Sequence, residues 1–165
     1  MFMSVLVTVG STSFNELIEA VGHKSFYETL VRHGYSRLYV QYGGGKTVFE
    51  NRDPDVPGLE VTGFDYVADL TPYMEEAQLV VSHAGAGSIL QALRRGKRLV
   101  IVPNETLMDN HQIELAEKMD SCGYAMRAAT STLAKVVDQA CTNSPTPFPE
   151  ADYSKFRQVM EDVAL

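Results

Sequence analysis

"VVSHAGAGSILQAL", Val80 to Leu93, sets a histidine and two glycines where an apolar run hands over to a helical pattern. Leu79 to Val81 has the composition of a buried strand. Ile89, Leu90 and Leu93 then repeat at helical spacing, and Gly96 supplies a stop. A strand, a short glycine-bearing turn and a helix make half of a βαβ unit. Whether the rest of the chain repeats that unit decides the fold.

It does. Val5 to Val9 is an apolar run ending in Gly10. Ser13 and Glu16 have capping-box spacing ahead of Leu17, Ile18 and Val21. A second helix is expected over about Ser25 to Arg32, then strands over Leu38 to Tyr42 and Leu59 to Phe64. Thr71 followed by Pro72 reads as the N-cap and first position of a short helix. Leu99 to Val102 is another buried strand, stopped by Pro103. Helices over Asp109 to Met119 and Leu133 to Ala140 flank a last strand, Tyr124 to Arg127. Strands apolar on both faces, alternating with helices, predict an α/β fold: a doubly wound, mostly parallel, Rossmann-like sheet with an extra C-terminal helix. The expected organisation is a domain over residues 1–141, a Pro-rich linker over 142–150 ("TNSPTPFPE", Thr142 to Glu150), and a C-terminal helix over 151–165. On that helix Tyr153, Phe156, Met160 and Val163 share one face.

The 165 residues carry 14 basic and 21 acidic side chains, a net charge of −7. That balance argues against a phosphate-neutralising nucleic-acid binder and against attraction to anionic lipid. Cys122 and Cys141, without CxxC spacing, fit a reducing compartment. No apolar run approaches membrane-spanning length, and the opening "MFMSVLVTVG" reads as a strand and not as a signal peptide. A cytoplasmic protein without direct membrane insertion is expected.

In such a sheet, ligands bind outside the carboxyl ends of the strands. Three loops fall there: Gly10-Ser11-Thr12, His83 to Ser88, and Asn104 to Gln112. Glycines let backbone N–H groups approach a phosphate, a helix N-terminus adds positive potential, and Ser11, Thr12 and Ser88 add hydroxyls. Each feature also has a bland reading. Gly85 and Gly87 make a tight turn, Ser88 and Gln91 match a capping box, and a lone His83 suits a core. Three such loops on one sheet edge favour an anion site, most simply for a diphosphate. Gly45-Lys46-Thr47 ends like a P-loop, but the motif's first glycine would fall at Val40, and "VFENRDPD" is not expected to form a helix. There is no G-x-G-x-x-G after the first strand. His23, His33, His83 and His111 are scattered, so no metal or other cofactor is expected.

"SHAGAGSILQAL" with "GKRLVIVPNETLMDNHQIELAEKM", "VLVTVGSTSFNELI" and "YSRLYVQYG" resembles one family. It comprises the donor-binding catalytic subunits of the eukaryotic transferase that adds the second N-acetylglucosamine (GlcNAc) to dolichyl-diphosphate-GlcNAc. These resemble the C-terminal half of GT-B, family 28-like, inverting glycosyltransferases. The resemblance runs from Val5 to about Gly123. It implies that His83, Gly87 and Ser88 contact the diphosphate of UDP-GlcNAc and that Asn110, His111 and Gln112 lie near the sugar. The N–H groups of Gly10, Ser11 and Thr12 and of Gly85, Ala86, Gly87 and Ser88 would stabilise departing UDP, and Asn104 opens the third substrate-binding loop. Where many of these transferases have an acid that holds the ribose, this chain has Gln91.

The resemblance further implies transfer to a lipid-linked sugar acceptor, with His83 assisting the leaving group and no metal. It implies a separate membrane-anchored, acceptor-binding subunit at the cytosolic face of the endoplasmic reticulum. Tyr153, Phe156, Met160 and Val163 are the expected docking stripe, unless the helix folds back on its own domain. The other readings are a donor-binding subunit of a split bacterial exopolysaccharide glycosyltransferase, and a non-catalytic nucleotide-sugar-binding module.

Overall fold

The computed structural model describes residues 2–105, 110–149 and 154–164. Six strands form one parallel sheet: β1 (Ser4–Thr8), β2 (Arg37–Gln41), β3 (Glu60–Phe64), β4 (Leu79–His83), β5 (Arg98–Val102) and β6 (Met126–Arg127). Their order is β3-β2-β1-β4-β5-β6. The chain winds outward from β1 to β3, then returns to place β4 on the other side of β1. The order therefore reverses between β1 and β4, and loops leaving their carboxyl ends flank a crevice.

Side-chain alternation splits the core into two layers. Val5, Val7, Val40, Val81 and Val100 face α1 (Asn15–Val21), α2 (Lys24–Arg32) and α7 (Leu133–Thr142). Leu6, Val80, Leu99 and Ile101 face α4 (Thr71–Glu76), α5 (Ala86–Arg94), α6 (Asn110–Ser121) and α8 (Ser154–Ala164). A one-turn α3 (Lys46–Glu50) packs against α1.

The structure corrects several local expectations. A helical turn does follow Gly45, because Phe49 stacks on Tyr42 with centroids 5.3 Å apart and packs where Gly63 carries no side chain. Ser13 does not cap α1. The N-cap is Phe14, buried in the core, with its carbonyl accepting from Leu17 at 3.1 Å. Thr71 is the first residue of α4 and not its cap, which is Leu70. The Pro-rich segment is a strap and not a reaching linker. Thr146 N–H donates to the Gly123 carbonyl at 2.8 Å, and buried Phe148 meets Tyr124 edge-on at 5.2 Å.

The C-terminal helix folds back on the same unit. Val159 and Val163 are buried against Leu115 and Met119 of α6, with Met160 half-buried beside them. Met160 and Val163 are therefore not an open docking stripe: Val163 is covered by its own domain and Met160 in part. Tyr153 and the side chain of Phe156 lie outside the described residues.

Candidate functional site

The His83 ring answers why glycines flank the β4–α5 junction. His83 ends β4, is 8% exposed, and lies between the loop after β1 and the loop after β4. A Cβ added at Gly10 would strike ring atoms Nε2 and Cε1, and one at Gly85 would strike Cε1 and Nε2. Gly10 also has φ +65°, a conformation costly for any side chain. Both glycines thus exist as the two walls of an imidazole slot.

Burial keeps His83 below its ordinary pKa, so the ring is neutral. Its Nδ1 is sealed from solvent without a partner. A buried N–H without an acceptor is rarer than a buried lone pair without a donor. Nδ1 then carries the lone pair, and Nε2–H is the donor lying between the two glycines.

Beside this slot starts α5. Its N-cap is Gly85, and its first helical bond runs from Ile89 N–H to the Gly85 carbonyl at 3.1 Å. The N–H groups of Ala86, Gly87 and Ser88 therefore have no intrahelical partner. Gly87 is exposed, and a Cβ there would meet only open space. Three backbone donors, the positive end of a helix and a neutral imidazole N–H converge on one crevice, an arrangement suited to an anion.

The loop after β1 contributes differently from expectation. Gly10 N–H is already used, donating to Thr8 Oγ1 and Gln41 Oε1, both at 3.1 Å. Thr12 is exposed, but its donors are used too, its N–H and hydroxyl donating to the Val9 carbonyl at 3.3 and 2.8 Å. Exposed Ser11 is the member of this loop left to meet a ligand.

Gln91 is not part of a capping box. Ser88 sits in the third position of α5, not at its cap, and Gln91 Nε2 donates to Thr71 Oγ1 at 3.2 Å. Gln91 lines a cavity of about 210 Å³ with Gly10, Ser11, Gln41, Tyr66 and Asp69. There the Thr71 hydroxyl and amide hold the Asp69 carboxyl below the usual carboxylate range. Larger cavities exist elsewhere, about 320 Å³ around Arg98 and Gly123 and about 480 Å³ between α6 and α8. Neither joins an imidazole to a helix N-terminus. Two more, about 380 and 260 Å³, touch His23 at the start of α2, but Glu16, Glu19 or Asp53 carboxylates line them and disfavour an anion, so chemistry and not volume selects the crevice at His83.

The third loop is described in part. Asn104 is buried, and its N–H donates to Gln112 Oε1 at 3.4 Å, which joins the end of β5 to the first turn of α6. His111 Nδ1 lies 3.0 Å from the Val163 carbonyl, so Nδ1 is the donor and the ring pins α8 to α6. Asn110 opens α6, with its side chain outside the described residues, as are residues 106–109. The sequence reading missed Asp69 and also Gln41, whose four bonds shape the first loop. The only sequence signal for Gln41 is a polar side chain closing a strand at the ligand-binding edge.

Among the described residues no His, Cys, Asp and Glu cluster has metal-binding geometry, and no helix is long and apolar enough to cross a membrane.

The glycosyltransferase family 28 C-terminal domain matches residues 4–163. The UDP-N-acetylglucosamine transferase subunit ALG13 of Yarrowia lipolytica is 48% identical over 118 residues, 71% of this chain and 60% of that protein. The Homo sapiens protein of the same name is 43% identical over 120 residues, 73% of this chain but 10% of its own length. The Eremothecium gossypii protein is 34% identical over 188 residues, covering 98% of this chain and 93% of that one. The chain thus spans 60% and 10% of the first two relatives and 93% of the third. The NMR solution structure of ALG13 superimposes with TM-score 0.77 at 28% identity, covering 99% and 98% of the two chains. The crystal structure of Acinetobacter baumannii MurG shares the fold, with TM-score 0.60 at 18% identity over 44% of its chain. The chain belongs to the glycosyltransferase family 28 C-terminal domain family and, within it, to the family of the UDP-N-acetylglucosamine transferase subunit ALG13.

Proposed function

We propose that this chain is the donor-binding, catalytic subunit of an inverting glycosyltransferase, moving GlcNAc from UDP-GlcNAc to dolichyl-diphosphate-GlcNAc. The observation that carries the reading is the imidazole slot: His83 held between Gly10 and Gly85 beside the unpaired N–H groups of α5. Departing UDP is the charge that must be stabilised. Preorganised donors aimed at a developing anion in a water-poor site lower the barrier without reorganising. Nε2–H of neutral His83 and the amides of Ala86, Gly87 and Ser88 supply that stabilisation, so no divalent cation is needed. The cavity lined by Gln91 and Asp69 takes the nucleoside, where a carboxylate and an amide oxygen accept from ribose hydroxyls.

The acceptor hydroxyl needs a general base. His83 is committed to the leaving group, which leaves the base to the acceptor-binding half. That half is a second, membrane-anchored subunit, and the relatives' name as subunits supports it. Association with the cytosolic face of the endoplasmic reticulum follows through that partner.

The test is co-expression with the membrane-anchored subunit and transfer of labelled GlcNAc to the lipid acceptor. Activity of the pair that is lost in His83→Ala and absent from either subunit alone is expected. UDP-GlcNAc binding without transfer in any pairing would leave a nucleotide-sugar-binding module instead.

A further inference from the structure

Gln41 is 1% exposed at the end of β2, on the wall of the Gln91 cavity, and both ends of its carboxamide bond the first loop. Oε1 accepts from Thr8 Oγ1 at 2.6 Å and from the N–H groups of Val9 and Gly10, both at 3.1 Å. Nε2 donates to the Gly10 carbonyl at 3.0 Å. Two backbone N–H donors on one atom identify it as oxygen, so the orientation of the amide is not in question. Gly10 is held from both sides of its peptide, at φ +65°, with its Cα against the His83 ring.

We propose that Gln41 is a positioning residue for the diphosphate site: it fixes Gly10, and Gly10 with Gly85 holds His83 so that Nε2–H meets the ligand. The proposal rests on the nucleotide-binding reading above. Among the described residues no side-chain hydrogen bond reaches the His83 ring, and its Nδ1 has no partner. The ring is therefore oriented by packing alone, and one wall of that packing is a glycine that could adopt many conformations. Without Gln41 the wall loosens, the ring samples more than one rotamer, and water reaches it.

The experiment uses the full chain, UDP as probe and His83 ring NMR as the first readout, with no nucleotide present. Wild type is expected to show one ring environment that titrates below the ordinary histidine range. In Gln41→Ala the amide spectrum should remain that of a folded domain. The His83 signals should broaden or split, and their titration should move up toward the ordinary value. UDP affinity should fall about 10-fold or more, the scale of losing one hydrogen bond to a charged group. Because Gln41 acts through His83, Gln41→Ala in a His83→Ala background should weaken UDP binding no further. A merely structural Gln41 would instead give additive losses.

Should Gln41→Ala fail to fold, Gln41→Glu keeps the volume and the accepted bonds but sets an acceptor against the Gly10 carbonyl. The same ring and affinity changes are expected. An unchanged His83 ring in a folded Gln41 variant, or additive losses in the double variant, overturns the proposal. If wild type shows no UDP binding at all, the nucleotide reading itself fails, and the ring spectra tell that case apart.

Discussion

Gly85 and Gly87 are two residues apart, yet replacing them should have opposite effects on stability and the same effect on ligand binding. Gly85 has ordinary backbone angles, φ −83° and ψ 126°, so Gly85→Ala adds no backbone strain. Its new methyl lands on the His83 ring, and Gly10 blocks retreat on the other side. Overpacking of this kind costs ~1–3 kcal/mol, or roughly 2–12 °C in Tm for a domain of this size. The only relief is rotation of His83, which forfeits its bond to the anion. Losing a hydrogen bond to a charged group, ~1.5–3 kcal/mol, weakens UDP about 10- to 150-fold. Gly87→Asp places its side chain in open space, in the first turn of α5. A carboxylate there gains ~0.3–1 kcal/mol from the helix dipole, so Tm should hold or rise slightly. The same carboxylate occupies the anion's place, and UDP binding should vanish. Thermal unfolding and calorimetric titration of both variants read this out. A Gly87→Asp protein that binds UDP as wild type does would refute the anion site. A Gly85→Ala protein unchanged in both measurements would refute the imidazole slot.

Gln91→Ala should weaken UDP about 10-fold while costing little stability, because its one side-chain bond among the described residues is a part-buried contact to Thr71; equal affinity with a large Tm loss would make Gln91 a structural residue. For His83, burial lowers the folded pKa below 6.5, so between the two values the unfolded chain binds a proton that the folded chain does not. Stability should therefore be full above about pH 6.5 and decline as pH falls below it, and Tm against pH should be flatter there in His83→Asn. Phe148→Ala should destabilise the isolated chain by about 3 kcal/mol, measured by urea unfolding, because the strap is core and not tether. Transfer by the assembled enzyme should persist in chelator, and activity restored only by a divalent cation would contradict the donor set assigned to the leaving group.

The parallel sheet was legible because β1, β4 and β5 are continuous apolar runs, a pattern that only burial on both faces explains. The crevice followed from the same runs, since strand ends and glycines mark where loops emerge. Non-local partners were not legible. Nothing near Phe148 in sequence announces Tyr124, so a proline-rich composition read as a linker. The apolar spacing of α8 correctly grouped Met160 with Val163. Spacing gives a face and not its partner, and the partner is α6. Gln41 was invisible for a related reason: its bonds reach 31 to 33 residues back, to Thr8, Val9 and Gly10. The Ser13–Glu16 and Ser88–Gln91 spacings matched a capping box by chance. In both places another residue takes the cap, Phe14 one residue after Ser13 and Gly85 three residues before Ser88.

The central claim is that the crevice between β1 and β4 receives the diphosphate of a nucleotide sugar. Titrating the isotope-labelled chain with UDP-GlcNAc and following backbone amides with the His83 ring tests it directly. The account predicts saturable shifts led by Ala86, Gly87, Ser88 and His83 Nε2, with Ser11 and Gln91 following. Saturable shifts centred instead on Arg98 and Gly123 at the opposite end of the strands, or none at these amides, would contradict it.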